Sequence, residues 1–189
     1  MTLPTPGVRV VNVENSVLLV IDVQGKLAGL MHDSGYLRRV QGMIKIAQIL
    51  SIPIIITEQA PEKIGNTIPE ISEILPENIP IKKQSFSCCG EPAFMDAFKR
   101  VGRSQVIVTG IETHVCVYQT VRDLLTAGRD VYLLVDAVSS RSPQNAAIGI
   151  GRAKDDGATL TTLEMIVTEL IQSTRHPKFR EIMALLKNA

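Results

Sequence analysis

Residues 16–24 read SVLLVIDVQ, six apolar or small residues followed at once by an acid. A short, β-branched run with no polar alternation suits a strand covered on both faces, as in a parallel sheet. Runs of the same kind recur at 53–56 (PIII), 105–108 (QVIV) and 131–135 (VYLLV), with shorter candidates at 79–81 and 158–160. Segments with helical spacing lie between them. Residues 36–50 put Leu37, Val40, Ile44 and Ala47 near one stripe, with Pro53 beyond the end. Residues 92–101 put Phe94, Ala97, Phe98 and Val101 on another, opened by Pro92 and closed by Gly102. Further helices are expected at 114–127, 143–154, 163–171 and 178–186. Strand and helix alternating in this way predict an α/β fold. The expected form has three α/β/α layers around a six-stranded, mostly parallel, doubly wound and Rossmann-like sheet. No repeat or linker divides the chain, so residues 1–189 are expected to form one domain. Residues 60–80 carry four prolines and a glycine after Ala60 and read as a long loop, which in a compact domain belongs to a site or an interface.

Composition narrows the function classes. The 189 residues include 20 Lys and Arg against 19 Asp and Glu, a formal net charge of +1. That balance argues against nucleic-acid or anionic-membrane binding, which would show a basic excess. Apolar runs far shorter than the ~20 residues of a spanning helix predict no membrane role. The opening ten residues, with two prolines and a glycine, resemble neither a signal nor a transit peptide. Three cysteines, two of them adjacent at Cys88 and Cys89, supply no disulfide framework, and a reducing, cytoplasmic setting is expected. The Cys88–Cys89 pair lacks the partners of a zinc site, and His32, His114 and His176 are scattered. Neither a metal nor a cofactor is expected.

In an open parallel sheet, ligands sit beyond the carboxyl ends of the strands. Those positions hold Asp22 after the first run, Thr57-Glu58-Gln59 after the second, Lys82-Lys83 after the third and GIETHVC (110–116) after the fourth. An acid, a lysine and a cysteine are a working set for nucleophilic attack on a carbonyl: base, electrostatic stabiliser and nucleophile. Cys116 falls near the start of a helix that Thr113 would cap. The dipole and free N–H groups there are expected to favour the thiolate and to offer donors to an oxyanion. Alternatives stand beside this reading. A lone cysteine is equally a core residue, Asp22 alone can cap a loop, and either lysine can be solvated.

Three blocks in order, VLLVIDVQ (17–24), KQSFS (83–87) and GIETHVCV (110–117), resemble the isochorismatase-like cysteine hydrolase superfamily. TEQAPEKIGNTIPE from Thr57, DAVSSRS from Asp136 and HPKF from His176 are similar to its isochorismatase domain-containing branch. The resemblance implies Asp22 as base, Lys83 rather than Lys82 as stabiliser, and Cys116 as nucleophile through a thioester. It also implies a cis Ile111–Glu112 peptide, with the N–H groups of Glu112 and Cys116 as oxyanion donors. A small amide or ureido substrate is expected, contacted by Gln24, Gln59, Phe86 and Tyr118. Family members associate, so a homo-oligomer is expected. The stretch after the second strand lacks the histidines of metal-dependent nicotinamidases, and isochorismatases proper lack the cysteine. Two other readings remain: a vinyl-ether hydrolase, and an idle hydrolase fold acting as an interaction protein.

Overall fold

The computed structural model describes residues 10–189. The opening stretch read above for targeting signals therefore lies, up to residue 9, outside the described residues. Strand β1 (Ser16–Ile21) is buried along its whole length. Leu18 and Val20 enter one core, while Val17, Leu19 and Ile21 enter the other. Successive side chains of a strand point to opposite faces, so a strand sandwiched between helices needs apolar residues at every position.

The chain continues through α1 (Gly25–Ala28), α2 (Tyr36–Ile49), β2 (Ile54–Gln59), α3 (Pro61–Ile64), α4 (Pro69–Ser72) and β3 (Ile81–Lys83). A 3₁₀ turn (Cys88–Gly90), α5 (Pro92–Val101), β4 (Gln105–Ile111) and a π-helical turn (Thr113–Val117) follow. Then come α6 (Tyr118–Thr126), β5 (Asp130–Ser139), α7 (Pro143–Asp155), β6 (Thr159–Thr161), α8 (Leu163–Ile171) and α9 (Phe179–Leu186). The six strands pair in parallel in the order β3-β2-β1-β4-β5-β6. This is the expected doubly wound, three-layer arrangement. Val40 and Ile44 of α2 and Ile166 of α8 pack on one face of the sheet. Phe94 and Phe98 of α5 and Val121 and Leu124 of α6 pack on the other. The winding reverses between β1 and β4, and the crevice at that reversal is where such sheets take ligands.

Gly110 makes the reversal tight. Its φ is +113°, and a Cβ there would stand 2.1 Å from the carbonyl oxygen of Ile21. Only glycine lets β4 lie this close to the end of β1. The pairing of β4 with β5 shifts register between Val108 and Gly110.

Four expectations shift. The third strand begins at Ile81 rather than 79, because Pro80 has no N–H to give a ladder; Ile79 is 89% exposed. The fifth strand runs ten residues, to Ser139. Residues 60–80 contain two short helices, α3 and α4, each opened by a proline. The expected helix 114–127 begins instead with the π-helical turn, and no side chain caps it. Thr113, expected as the cap, is buried, and its hydroxyl has no hydrogen-bond partner among the described residues.

Candidate active site

Asp22 is the first residue past β1 and sits at φ 52°, in the left-handed region that side chains disfavour. Its N–H donates to the Thr57 carbonyl, and Thr57 Oγ1 donates to Asp22 Oδ1 at 2.7 Å. Lys83, 1% exposed, ends β3 and places its Nζ 2.7 Å from Asp22 Oδ2. The same ammonium donates to Gln59 Oε1 (2.7 Å) and to the carbonyls of Ser85 and Phe86. Burial, the largest single influence, would lower the lysine pKa, but the Asp22 carboxylate together with Cys116 and Cys88 outweighs it and the net direction is upward. The ammonium form is thus held in place. Alternation along β3 separates the two lysines, with Lys82 exposed and Lys83 buried.

Cys116 lies on the π-helical turn, 6% exposed, with Sγ 4.0 Å from Gln59 Oε1. Its carbonyl accepts from Thr120 Oγ1, which in turn accepts the Cys88 N–H. The thiol does not follow expectation. Burial, and next the Asp22 carboxylate, push its pKa well up, and Lys83 only partly opposes them. Desolvation penalises a thiolate more than one lysine, already paired with Asp22, relieves it. Burial thus favours a neutral Cys116 thiol, set beside the Asp22 carboxyl. Cys88, fully buried behind the site, is likewise pushed up, to about 12, by burial and Asp22.

The Ile111–Glu112 peptide is cis. Arg141 clasps the Glu112 side chain: Nη2 to Oε1 at 3.1 Å, Nε to Oε2 at 3.2 Å and its backbone N–H to Oε2 at 3.0 Å. Burial would raise the Glu112 pKa, yet the hydrogen bonds and charge of Arg141 bring it below the usual value. His114 turns to Ser140, Nδ1 to Oγ at 3.0 Å.

These groups meet at a cavity of about 380 Å³ lined by Asp22, Gln24, Gln59, Glu112, Cys116 and Arg141, with apolar walls. Of the residues expected to contact a substrate, Gln24, Gln59 and Phe86 line it and Tyr118 does not. Two residues past Cys116 on a helical path is about 200° of rotation, which turns Tyr118 away. Its hydroxyl bonds Asp156 at 3.0 Å and Arg152 lies over its ring. Gln24 lines the cavity, but its amide is used internally: Oε1 accepts the Gln59 N–H, and Nε2 donates to the carbonyls of Gln59 and Gly65. It ties residues 60–80 to the site, as does Glu58, whose Oε1 accepts both the N–H and the hydroxyl of Thr67. Thr57, Arg141 and the wall residues Leu27, Leu30, Ile64 and Val115 had no role assigned from the sequence. Thr57 and Arg141 both had a signal: Thr57 its strand-end position, and Arg141 its place just past the fifth strand, in the DAVSSRS stretch. Among the described residues, no three His, Cys, Asp or Glu side chains gather as a metal site would require, and no helix is long and apolar enough to cross a membrane. A second groove of about 460 Å³, between β2, β3 and α5, is lined by residues such as Ile54, Ile79, Ala97 and Arg100 and holds no acid or cysteine.

Comparison with known proteins places this geometry in context. The isochorismatase domain model matches residues 16–165. Isochorismatase domain-containing protein 2A of Mus musculus is 36% identical over 179 residues, spanning 92% of this chain and 84% of the relative. Isochorismatase domain-containing protein 2 of Danio rerio is 35% identical over 183 residues, spanning 95% and 91%. Among solved structures, the MAR1 ribonuclease of Caenorhabditis elegans superposes with a TM-score of 0.88 at 40% identity, over 96% of this chain and 94% of that one. The YcaC gene product of Escherichia coli, described as an octameric hydrolase of unknown specificity, superposes with a TM-score of 0.84 at 23% identity, over 98% of both chains.

Proposed function

The chain belongs to the isochorismatase family, and from that premise we propose that it is a cysteine hydrolase cleaving a C–N bond of a small amide or ureido compound. The observation that carries this reading is the buried Asp22–Lys83 pair, 2.7 Å apart, at the cavity that Cys116 also lines. Sulfur attacks the substrate carbonyl while Asp22 takes the thiol proton. The N–H groups of Glu112 and Cys116 receive the oxyanion. The C–N bond then breaks, and Asp22 returns the proton to the departing amine. Water, deprotonated by Asp22, cleaves the thioester and restores the thiol. A thiol held protonated at rest fits this scheme, because proton loss is then coupled to attack as in general-base catalysis. Lys83 holds the Asp22 carboxyl in place and oriented throughout.

Incubation with a panel of small amides, followed by ammonia release and intact mass, tests the reading. A thioester adduct on wild-type protein is expected, with a loss on the order of 10⁴-fold or more for Cys116→Ala. Absence of turnover together with an unreactive Cys116 would overturn it. Turnover of isochorismate that survives Cys116→Ala would favour the vinyl-ether reading instead. The name of the Caenorhabditis elegans relative speaks for RNA as a substrate. Against RNA here stands the net charge of +1, which offers no basic excess to hold a phosphate backbone. Incubation with RNA is expected to leave it intact.

The proposal extends to residues 1–189 working as one cytoplasmic domain and to a homo-oligomer. The octameric YcaC product motivates the latter. Light scattering should then give a mass that is a multiple of 20.6 kDa.

A further inference from the structure

The walls of the Cys116 cavity limit what can occupy it. Six apolar side chains form them: Leu27 and Leu30 near α1, Ile64 of α3, Phe86 after β3, and Ile111 and Val115 beside the cis peptide and the nucleophile. Every charged group on the lining is already matched. Asp22 pairs with Lys83 and Glu112 with Arg141, whose Nε and Nη2 are both committed to that carboxylate. The wall amides are committed too. Gln24 is engaged as described above, and Gln59 donates from Nε2 to the Gln84 carbonyl and accepts at Oε1 from Lys83. An anion drawn to Arg141 would lie against the Glu112 carboxylate. A cation drawn to Asp22 or Glu112 would have to displace Lys83 or Arg141. Burying an unmatched charge is costly, while burying methylenes is favourable.

We propose that the substrate is an uncharged small amide with a short aliphatic acyl group, its carbonyl at Cys116 and its hydrocarbon against these six side chains. The position of the scissile bond rests on the cysteine hydrolase reading; the preference for a neutral, apolar body rests on the walls. For a primary amide the step balances as carboxylic acid plus ammonia from amide plus water. The cavity is at the low end of the roughly 300–1,000 Å³ of ligand pockets, which favours a short chain.

Two measurements with defined probes test this. The first is kcat/KM of the wild-type protein, by ammonia release, for acetamide, propionamide, butyramide, isovaleramide, succinamate and glycinamide. A rise of about fourfold per added methylene is expected, with isovaleramide exceeding succinamate and glycinamide by on the order of 100-fold. The second is binding of the same compounds to Cys116→Ala protein by ligand-observed NMR, expected to rank them identically. Hydrolysis of succinamate or glycinamide at rates equal to or above isovaleramide would overturn the substrate class and leave the hydrolase reading standing. If nothing is hydrolysed but Cys116→Ala still prefers isovaleramide, the class stands as a binding preference and the hydrolase reading falls. If Cys116→Ala binds none of the amides, or prefers a charged one, the class falls.

Discussion

Asp22 is held from three sides: its left-handed backbone, the Thr57 hydroxyl on Oδ1, and Lys83 on Oδ2. A hydrogen bond to a charged group contributes roughly 1.5–3 kcal/mol. Thr57→Val keeps the shape of the side chain and removes that donor, so kcat should fall about 10- to 100-fold with little change in KM, read by steady-state kinetics on any substrate found. Lys83→Met leaves a buried carboxylate unpaired and should destabilise the fold by roughly 3–5 kcal/mol in denaturant titration. The lysine pKa is raised above 10.5 in the fold. Its contribution to stability is therefore complete below the ordinary lysine value and is lost only as pH rises through the higher folded value. Melting temperature should be insensitive to this pair across neutral pH and should decline in strong alkali. For Cys116, a thiol pushed up by burial and Asp22 predicts slow alkylation by iodoacetamide at pH 7, accelerating continuously into alkaline solution. Rapid, pH-independent labelling near neutrality would contradict the neutral resting thiol.

The turn that carries Cys116 is shaped by the helix packed against it. Gly149 of α7 approaches so closely that a Cβ there would stand 2.9 Å from His114 Cα and 3.0 Å from the Thr113 carbonyl oxygen. Both are backbone or near-backbone atoms with little room to yield. Gly149→Ala should therefore shift the turn that carries Cys116, with a cost of about 1–3 kcal/mol from overpacking and a larger loss of activity than of stability. Two residues along, Gly151 has nothing within 4 Å of its would-be Cβ. Gly151→Ala should be neutral or stabilise by up to about 1 kcal/mol through helix propensity, and paired thermal melts would read the contrast. The loop element was legible as an anomaly, five breakers in 21 residues, but not as a wall. Its attachment depends on Glu58 and Gln24 reaching Thr67 and Gly65, contacts that no local pattern announces.

At the scale of the whole molecule, three cysteines without a disulfide imply that reductant should leave the melting temperature unchanged, while oxidation of Cys116 should abolish activity. The arrangement of the sheet was open to sequence reading, because apolar period and strand-end position are local properties of the chain. Continuous runs such as 16–21 can only be satisfied between two helical layers, and the residues that follow each run must emerge at one edge. That logic determined the α/β fold, the α/β/α layering and the strand-end candidates Asp22, Lys82 or Lys83, and Cys116, while the family resemblance chose Lys83. It also offered Tyr118, which the geometry of a helical turn carries away from the cavity. Tertiary structure alone decided which groups share the cavity, that Arg141 neutralises Glu112, that Gly149 must be bare, and that the thiol rests protonated. Those outcomes depend on distances between segments as far apart in the chain as Asp22 and Arg141, which line one cavity, and on desolvation, which only packing sets.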